Sequence, residues 1–220
     1  MTVVTIAAQV AAIAAASAGQ PPGEVMDAFA GEQAELAARA IPKGIIAAGA
    51  MLSDADLLDP FGSPASLYGA VGNQPAVVVL YRGAWCPYCN ITVRTYQSEL
   101  LPELTLRGVA LVAISPQAPD GSLTMRQKNE LTFTVLSDPG NQVARAVGVL
   151  SAPSAQARAA QLGLGLDLAT VNADGTAGVP MPTTIITGAD HVVRWVDVHP
   201  DYTTRSEPAQ ILAALDEASR

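Results

Sequence analysis

An apolar run, Ala76-Val77-Val78-Val79-Leu80-Tyr81, leads almost directly into a paired-cysteine motif, Trp85-Cys86-Pro87-Tyr88-Cys89. An unbroken apolar run of strand length, with no alternation, fits a strand covered on both faces, as in a parallel sheet. The segment after the motif, Ile91 to Leu101, suits a helix. Pro87 stands at the first helical position, where proline is favoured because the missing N–H has no partner there anyway. This stretch therefore reads as strand, tight turn and helix, with two thiols at the turn. Cys86 and Cys89 are the only cysteines among 220 residues. A secreted disulfide scaffold would need several bridges in a shorter chain. A single close pair in an otherwise cysteine-free chain points to redox chemistry or metal binding.

The metal alternative is poorly supplied. A zinc site needs four ligands, and only His191 and His199 remain, on or beside a hairpin far along the chain. No metal site is expected. No cofactor is expected either, since no glycine-rich strand-to-helix loop has the pattern of a nucleotide site. The net charge of −8 and the lack of a basic cluster disfavour nucleic acid and anionic membrane as partners. No run reaches the ~18 apolar residues of a membrane helix. Residues 2–16 are apolar and Ala-rich, and Ala16-Ser17-Ala18 resembles a cleavage site. However, no Lys or Arg precedes the run and Gln9 interrupts it, whereas a secretory signal wants a positive start. A packing helix is expected there, and a cytoplasmic protein. The composition, half hydrophobic and 15% charged, is that of an ordinary globular chain.

Residues 3–17 and 22–40 read as two helices broken at Gly19-Gln20-Pro21-Pro22-Gly23. They are expected to pair alanine on alanine as an appendage to the main core, with apolar surface left for a homodimer. Ala55 to Leu58 reads as a short strand before a turn, and residues 76–82 as the buried strand. The helix from Pro87 runs to about Leu104, kinked or broken near Pro102. Val109 to Ser115 is the next strand, completing a βαβ unit. Ser122 to Leu131 reads as a helix, Phe133 to Leu136 as a strand, and Asn141 to Val147 as a short helix closed by Gly148. Residues 150–180 carry little pattern beyond a helix over Ala155 to Leu162. Thr183 to Thr187 and His191 to Val198 form a hairpin, and Glu207 to Ala218 a closing helix. A βαβ unit followed by a hairpin and a final helix is the order of a thioredoxin-type fold.

The segments Tyr81-Arg82-Gly83-Ala84-Trp85-Cys86-Pro87-Tyr88-Cys89-Asn90, Val112 to Gln117, Leu136-Ser137-Asp138 and Asp201 to Pro208 together resemble the peroxiredoxin-like branch of the AhpC/TSA group, within the thioredoxin superfamily. The resemblance implies an α/β thioredoxin-like fold, a central mixed sheet flanked by helices. It implies an N-terminal helical extension over 1–43 and the thioredoxin-like domain over 44–220. It also implies an antioxidant thiol peroxidase served by an external thiol reductant, either a thioredoxin-like protein or a low-molecular-weight thiol. The departures are as informative. Typical peroxiredoxins read Pro-x-x-x-Thr-x-x-Cys after the strand. Laid on this sequence, their proline falls on Arg82, their threonine on Cys86 and their peroxide-attacking cysteine on Cys89. Their second active-site arginine falls near Met181. Pro182 stands where thioredoxins place a cis-proline, so Met181–Pro182 is expected to be cis, a form found in only about 5–6% of such bonds.

The reactive species is the thiolate, and an ordinary thiol, with a pKa of about 8.5, is mostly protonated at neutral pH. A Cys86 at the helix N-cap would face the unpaired N–H groups of the first turn and be stabilised as an anion. Cys89, three residues on, lies on the same face within reach of a disulfide. Two mechanisms follow. In disulfide exchange, Cys86 attacks a substrate disulfide and Cys89 resolves the mixed disulfide. In peroxide reduction, one thiolate attacks the O–O bond to give a sulfenic acid, and the other condenses with it. Resemblance to peroxiredoxins makes Cys89 the attacker, whereas exposure at the helix tip makes it Cys86. Arg82 can supply positive charge, Trp85 can shield the disulfide, and Tyr88 shapes the turn. Arg205, with Asp201 and Tyr202, reads as a capping or salt-bridge cluster ahead of the last helix. Three function classes stand: a thiol peroxidase acting on hydrogen peroxide or organic hydroperoxides, a thiol–disulfide oxidoreductase, and a non-enzymatic redox sensor.

Overall fold

The structure is a computed structural model that describes residues 4–17 and 23–218. The expected break at residues 19–22 and the cleavage-like Ala18 lie outside the described residues. The fold is built on a seven-stranded mixed sheet. Its strands are β1 (Asp56–Leu58), β2 (Pro64–Ser66), β3 (Ala76–Leu80), β4 (Ala110–Ser115), β5 (Thr134–Ser137), β8 (Thr183–Thr187) and β9 (Val193–Val198), in the order β2-β1-β5-β4-β3-β8-β9. β3, β4 and β5 are parallel, β8 runs antiparallel beside β3, and β9 pairs antiparallel with β8 at the edge. A separate two-stranded ladder joins β6 (Leu150–Ser151) to β7 (Val179–Pro180).

The apolar run takes the centre of this sheet because both its faces can be covered. Every residue of β3 is buried. Strand geometry sends successive side chains to opposite faces. Val77 and Val79 accordingly enter one core with Tyr96, Leu100 and both cysteines, while Ala76, Val78 and Leu80 enter a second with Leu57, Leu136 and Val143. β4 divides in the same way, with Leu111 and Ala113 on the cysteine side and Val112 and Ile114 opposite.

The helix after the cysteines is interrupted earlier than Pro102. α4 (Pro87–Thr95) passes into a π-turn at Tyr96–Leu100 and then α5 (Leu101–Leu106). In the wider turn the Leu101 N–H donates to the Tyr96 carbonyl. Pro102 then falls in the first turn of α5, where a missing N–H is tolerated.

The N-terminal helices depart from expectation. α1 (Ile6–Ser17) and α2 (Glu24–Ala37) dock on different partners, α1 on α4 and α2 on α8 (Ala155–Gly163). Ile6 is 1% exposed inside the cysteine-side core. The first turn of α1 donates its Ile6 and Ala7 N–H groups to the Glu207 carboxylate at 3.0 and 2.8 Å. Gln9, the residue that interrupts the apolar run, donates to Thr95 Oγ1 at 3.0 Å. The described helices α1 and α2 therefore pack on the rest of the fold and not on each other, because an apolar helix with one buried face gains more against an existing core than against another alanine face.

The remaining elements are α3 (Leu67–Val71), α6 (Pro119–Lys128), α7 (Gln142–Val147), α9 (Leu168–Val171) and α10 (Pro208–Ala218). No cis peptide bond occurs among the described residues, so Met181–Pro182 is trans, against expectation. Here Met181 N–H donates to the Val149 carbonyl at 2.8 Å and the Pro182 carbonyl accepts from His199 N–H at 2.9 Å. Both bonds suit an extended chain entering β8, and trans is the lower-energy isomer when no contact demands otherwise. No helix among the described residues is long and apolar enough to cross a membrane.

Candidate active site

β3 delivers the chain to the site, and the turn that follows is tightly specified. Gly83 has φ +151, and a Cβ there would stand 2.7 Å from Gln117 Oε1, so only glycine fits. The Ala84 N–H donates to that same Gln117 oxygen. Asn90, buried in α4, reaches back over the turn, its Nδ2 donating to the Ala84 and Cys86 carbonyls at 2.8 Å each. Its Oδ1 accepts from Asn129 Nδ2 at 2.9 Å. Two side-chain amides thus reinforce the cysteine turn, which is closed by a backbone bond from Cys86 N–H to the Gly83 carbonyl at 3.2 Å.

Cys86 is the N-cap of α4, with extended backbone at φ −85 and ψ 117, and Pro87 is the first helical residue. Both cysteines are buried thiols, Cys86 1% and Cys89 0% exposed. The Cys86 side chain makes no capping hydrogen bond. Its thiol instead interacts with that of Cys89, and the two titrate together.

The charge around the pair comes from two arginines. Arg205 Nη2 donates to Cys89 Sγ at 3.3 Å, while its Nη1 donates to the Tyr202 and Thr204 carbonyls at 2.6 and 2.5 Å. It makes no salt bridge among the described residues, which corrects the expected salt-bridge cluster. Burial works against a Cys89 thiolate. The Cys86 hydrogen bond, the Arg205 guanidinium, the Arg82 backbone amide and the Arg82 charge outweigh it and hold Cys89 well below the ordinary thiol value. Burial pushes Cys86 well above that value, reinforced by its bond to Cys89 and the charge there, against the weaker pull of Arg82 and Arg205. The negative charge of the pair therefore settles on Cys89, and the N-cap cysteine holds the proton, the reverse of what helix capping alone implies.

Arg82 is 5% exposed. Its guanidinium carbon lies 4.0 Å from the Tyr202 ring centroid and 5.0 Å from that of Trp85, a cation–π sandwich. Gln33 of α2 bridges the Tyr88 and Tyr202 hydroxyls at 3.5 and 3.4 Å. Burial pushes the Tyr202 phenol up to about 12 and raises that of Tyr88. Both hydroxyls thus stay protonated at neutral pH. Over Cys86 lies a cleft of about 420 Å³. Arg82, Trp85, Pro87 and Tyr88 line it together with Ile13 of α1, Met26 and Phe29 of α2, and Leu164 and Leu166. Cys89 is not among its lining residues.

Met181 and Pro182 are not brought to the sulfurs. They line a small adjoining pocket that shares Arg82 and Tyr202 with the cleft, and Met181 packs in the opposite core. His191 stacks on Tyr68 with ring centroids 3.7 Å apart. His199 Nε2 lies 3.0 Å from Asp197 Oδ2, and Ser206 Oγ donates to that same oxygen at 2.8 Å. This network secures the loop that carries Arg205. The sequence reading missed Arg205 as a sulfur partner, along with Asn90 and the α2 wall. The one signal for Arg205 was its place within the Asp201 to Pro208 segment.

A mixed sheet whose parallel β3 feeds a helix tipped by two thiols defines a thioredoxin-fold protein with a dithiol site. The chain belongs to the AhpC/TSA family, whose sequence profile matches residues 48–196. Among curated relatives, a candidate peroxiredoxin, bcp, of Haemophilus influenzae is 47% identical over 76 residues, 34% of this chain and 48% of that protein. A candidate peroxiredoxin of Mycobacterium tuberculosis is 34% identical over 92 residues, 42% of this chain and 57% of that one. The chain thus spans about half the length of the curated relatives it matches. Among solved structures, the peroxidoxin BcpB of Mycobacterium tuberculosis superposes with a TM-score of 0.58 at 21% identity, over 78% of this chain and 96% of that one. A peroxiredoxin-like protein of Aquifex aeolicus superposes at 0.61 and 14% identity, over 80% and 89%. At such identities these likenesses establish the fold.

Proposed function

We propose that this protein is a thiol-dependent peroxidase, reducing hydrogen peroxide or organic hydroperoxides through Cys86 and Cys89, in a cytoplasmic setting where thiols are kept reduced. The observation that carries this reading is the Arg205 guanidinium 3.3 Å from Cys89 Sγ. It supplies, from the C-terminal part of the chain, the positive charge that the expected arginine position near Met181 lacks. In this reading the Cys89 thiolate attacks one peroxide oxygen, the O–O bond breaks, and the other oxygen leaves as water or alcohol after taking a proton. Cys89 becomes a sulfenic acid. Cys86 then attacks the Cys89 sulfur, water departs, and the Cys86–Cys89 disulfide forms. An external thiol returns the pair to the dithiol. Membership of the AhpC/TSA family and the likeness to peroxiredoxin folds support the reaction class.

The test is stopped-flow oxidation of the reduced protein by substoichiometric peroxide, followed by tryptophan fluorescence. A second-order rate no greater than that of free cysteine would sink the proposal. The Cys86→Ser variant is expected to consume one peroxide and to leave a sulfenic acid on Cys89 that a dimedone-type reagent traps. Cys89→Ser is expected to be inert. The opposite pattern would make Cys86 the attacker.

A second reading, thiol–disulfide exchange on low-molecular-weight disulfides, is favoured by the place of Cys86 on the cleft. Reduction of such disulfides by the Cys89→Ser variant, with peroxide inactive on every form, would select it.

A further inference from the structure

We propose that the cleft over Cys86 is where the Cys86–Cys89 disulfide is reduced, and that the reductant it takes is a small thiol bearing a carboxylate, not a protein dithiol. This rests on the proposed cycling of the pair between dithiol and disulfide.

Access to the two sulfurs differs. Cys89 is fully buried and does not border the cleft, whereas Cys86 lines it. A thiolate arriving through the cleft meets Cys86 and leaves Cys89 as the departing group. That direction suits the electrostatics, since a thiol with a low pKa leaves faster, and Arg205 and the Arg82 amide are already placed on Cys89 to receive the charge. In the first step the small thiolate forms a new S–S bond with Cys86, and the Cys86–Cys89 bond breaks to give the Cys89 thiolate. A second small thiol then attacks the bound one and carries it off as a disulfide. Cys86 regains its thiol, and two electrons have entered from two thiols.

The dimensions favour a small donor over a protein. The cleft holds about 420 Å³, the scale of small-molecule sites at ~300–1,000 Å³. Cys86 is 1% exposed at its base. Met26 and Phe29 of α2 line the cleft with Cys86, and α2 is fastened to the start of α8 by Glu32, whose Oε1 accepts Ser154 N–H at 2.7 Å. A cysteine on a folded partner projects only one short side chain beyond its surface, so it reaches Cys86 only if α2 is displaced.

The carboxylate follows from Arg82. This arginine is 5% exposed, yet its guanidinium makes no side-chain hydrogen bond and has no carboxylate within 4.0 Å among the described residues. The rings of Tyr202 and Trp85 cover its faces but satisfy none of its N–H donors. In the reduced pair the Arg82 charge supports the Cys89 thiolate, but the disulfide carries no charge, so in the oxidised protein Arg82 lines the cleft with no anion among the described residues hydrogen-bonded to it. A carboxylate on the entering thiol supplies the missing anion. The hydroxyls of Tyr88 and Tyr202, whose oxygens accept from Gln33 Nε2, line the cleft with Arg82.

The experiment starts from protein oxidised to the disulfide with diamide, so that peroxide chemistry plays no part in the outcome. Reduction is followed by tryptophan fluorescence with mercaptopropionate, with neutral mercaptoethanol and with a bacterial thioredoxin, compared at equal thiolate concentration. Mercaptopropionate is expected to exceed mercaptoethanol by roughly tenfold, the worth of one charge-assisted hydrogen bond, and thioredoxin is expected to be slowest. Gln33→Glu, which sets a competing anion beside Arg82 without changing shape, should bring the ratio of the two small thiols towards one. Arg82→Met should do the same. Equal rates for the two small thiols in the wild-type protein overturn the carboxylate. Thioredoxin matching mercaptopropionate overturns the small donor. The peroxide assay stands apart, so a protein that fails there and succeeds here loses only the peroxidase reading.

Discussion

Arg205 sits 116 positions beyond Cys89 in the chain, yet its guanidinium sets the charge of that sulfur. A buried thiol stays protonated unless something nearby favours the anion. At Cys89 the Cys86 thiol, Arg205 and the Arg82 amide do so together. Arg205→Met is therefore expected to shift thiolate formation at Cys89 towards alkaline pH. It should slow alkylation and peroxide oxidation at mildly acid pH by roughly tenfold or more, since a hydrogen bond to a charged group contributes about 1.5–3 kcal/mol. Arg205→Lys should restore part of the rate, and a variant as fast as wild type would remove Arg205 from the mechanism. The same shifts predict how stability depends on pH. Cys89, depressed in the fold, contributes stability that is complete above the ordinary thiol value and is lost as pH falls through its folded value. Cys86, raised in the fold, contributes stability that is complete below the ordinary value and is lost as pH rises through its folded value. The thiol contribution should therefore peak near the ordinary thiol value. Urea unfolding of wild type against the Cys86→Ser, Cys89→Ser double variant across pH measures it.

At the scale of elements, the strands were readable wherever one physical cause dominated. β3 announced itself by an unbroken apolar run, and the β8–β9 hairpin by a turn at Gly188-Ala189-Asp190 between two strand-like segments. The stretch from 150 to 180 was not readable, because small residues without periodicity give no face to count. There the chain is arranged by side-chain bonds to its own loop backbone, such as Asn172 Nδ2 donating to the Thr176 and Gly178 carbonyls at 2.8 Å each. The cysteine turn was readable in its ends and not in its fastening. No pattern in the sequence says that Asn90 of α4 and Asn129 after α6 meet at 2.9 Å. Asn90→Ala would leave the Ala84 and Cys86 carbonyls and the Asn129 amide without that partner, at a cost of about 2–3 kcal/mol in chemical unfolding. Asn90→Asp keeps the shape but has no N–H to donate, so it should rescue little. Full stability in either variant would show that the turn is held by other bonds.

For the whole molecule, the N-terminal helices complete both the core and the site. α1 places Ile6 in the cysteine-side core and Ile13 on the cleft, and α2 builds the wall that faces Cys86. Ile6, Val10 and Ile13 of α1 pack on the core, while the alanines of its other face stay exposed. Composition revealed that these segments are apolar helices. It did not reveal their partners, because an alanine-rich helix packs acceptably on many surfaces and the choice lies in a few contacts, among them Ile6 in the core and Glu207 at the first turn of α1. Those contacts are where the arrangement can be broken. Ile6→Ala removes a side chain that is 1% exposed, and is expected to lower unfolding stability by about 2–4 kcal/mol, as large-to-small core changes do. Glu207→Ala leaves the Ile6 and Ala7 N–H groups without their acceptor and should cost about 1 kcal/mol, the usual worth of a helix cap. Loosening α1 and the cleft should also admit bulkier thiols, so in both variants the oxidised pair should be reduced faster by thioredoxin than in wild type. Loss of stability without faster reduction would confine α1 to a role in the core. Changes within about 0.5 kcal/mol, the range of surface substitutions, would restore the first expectation that these helices are an appendage.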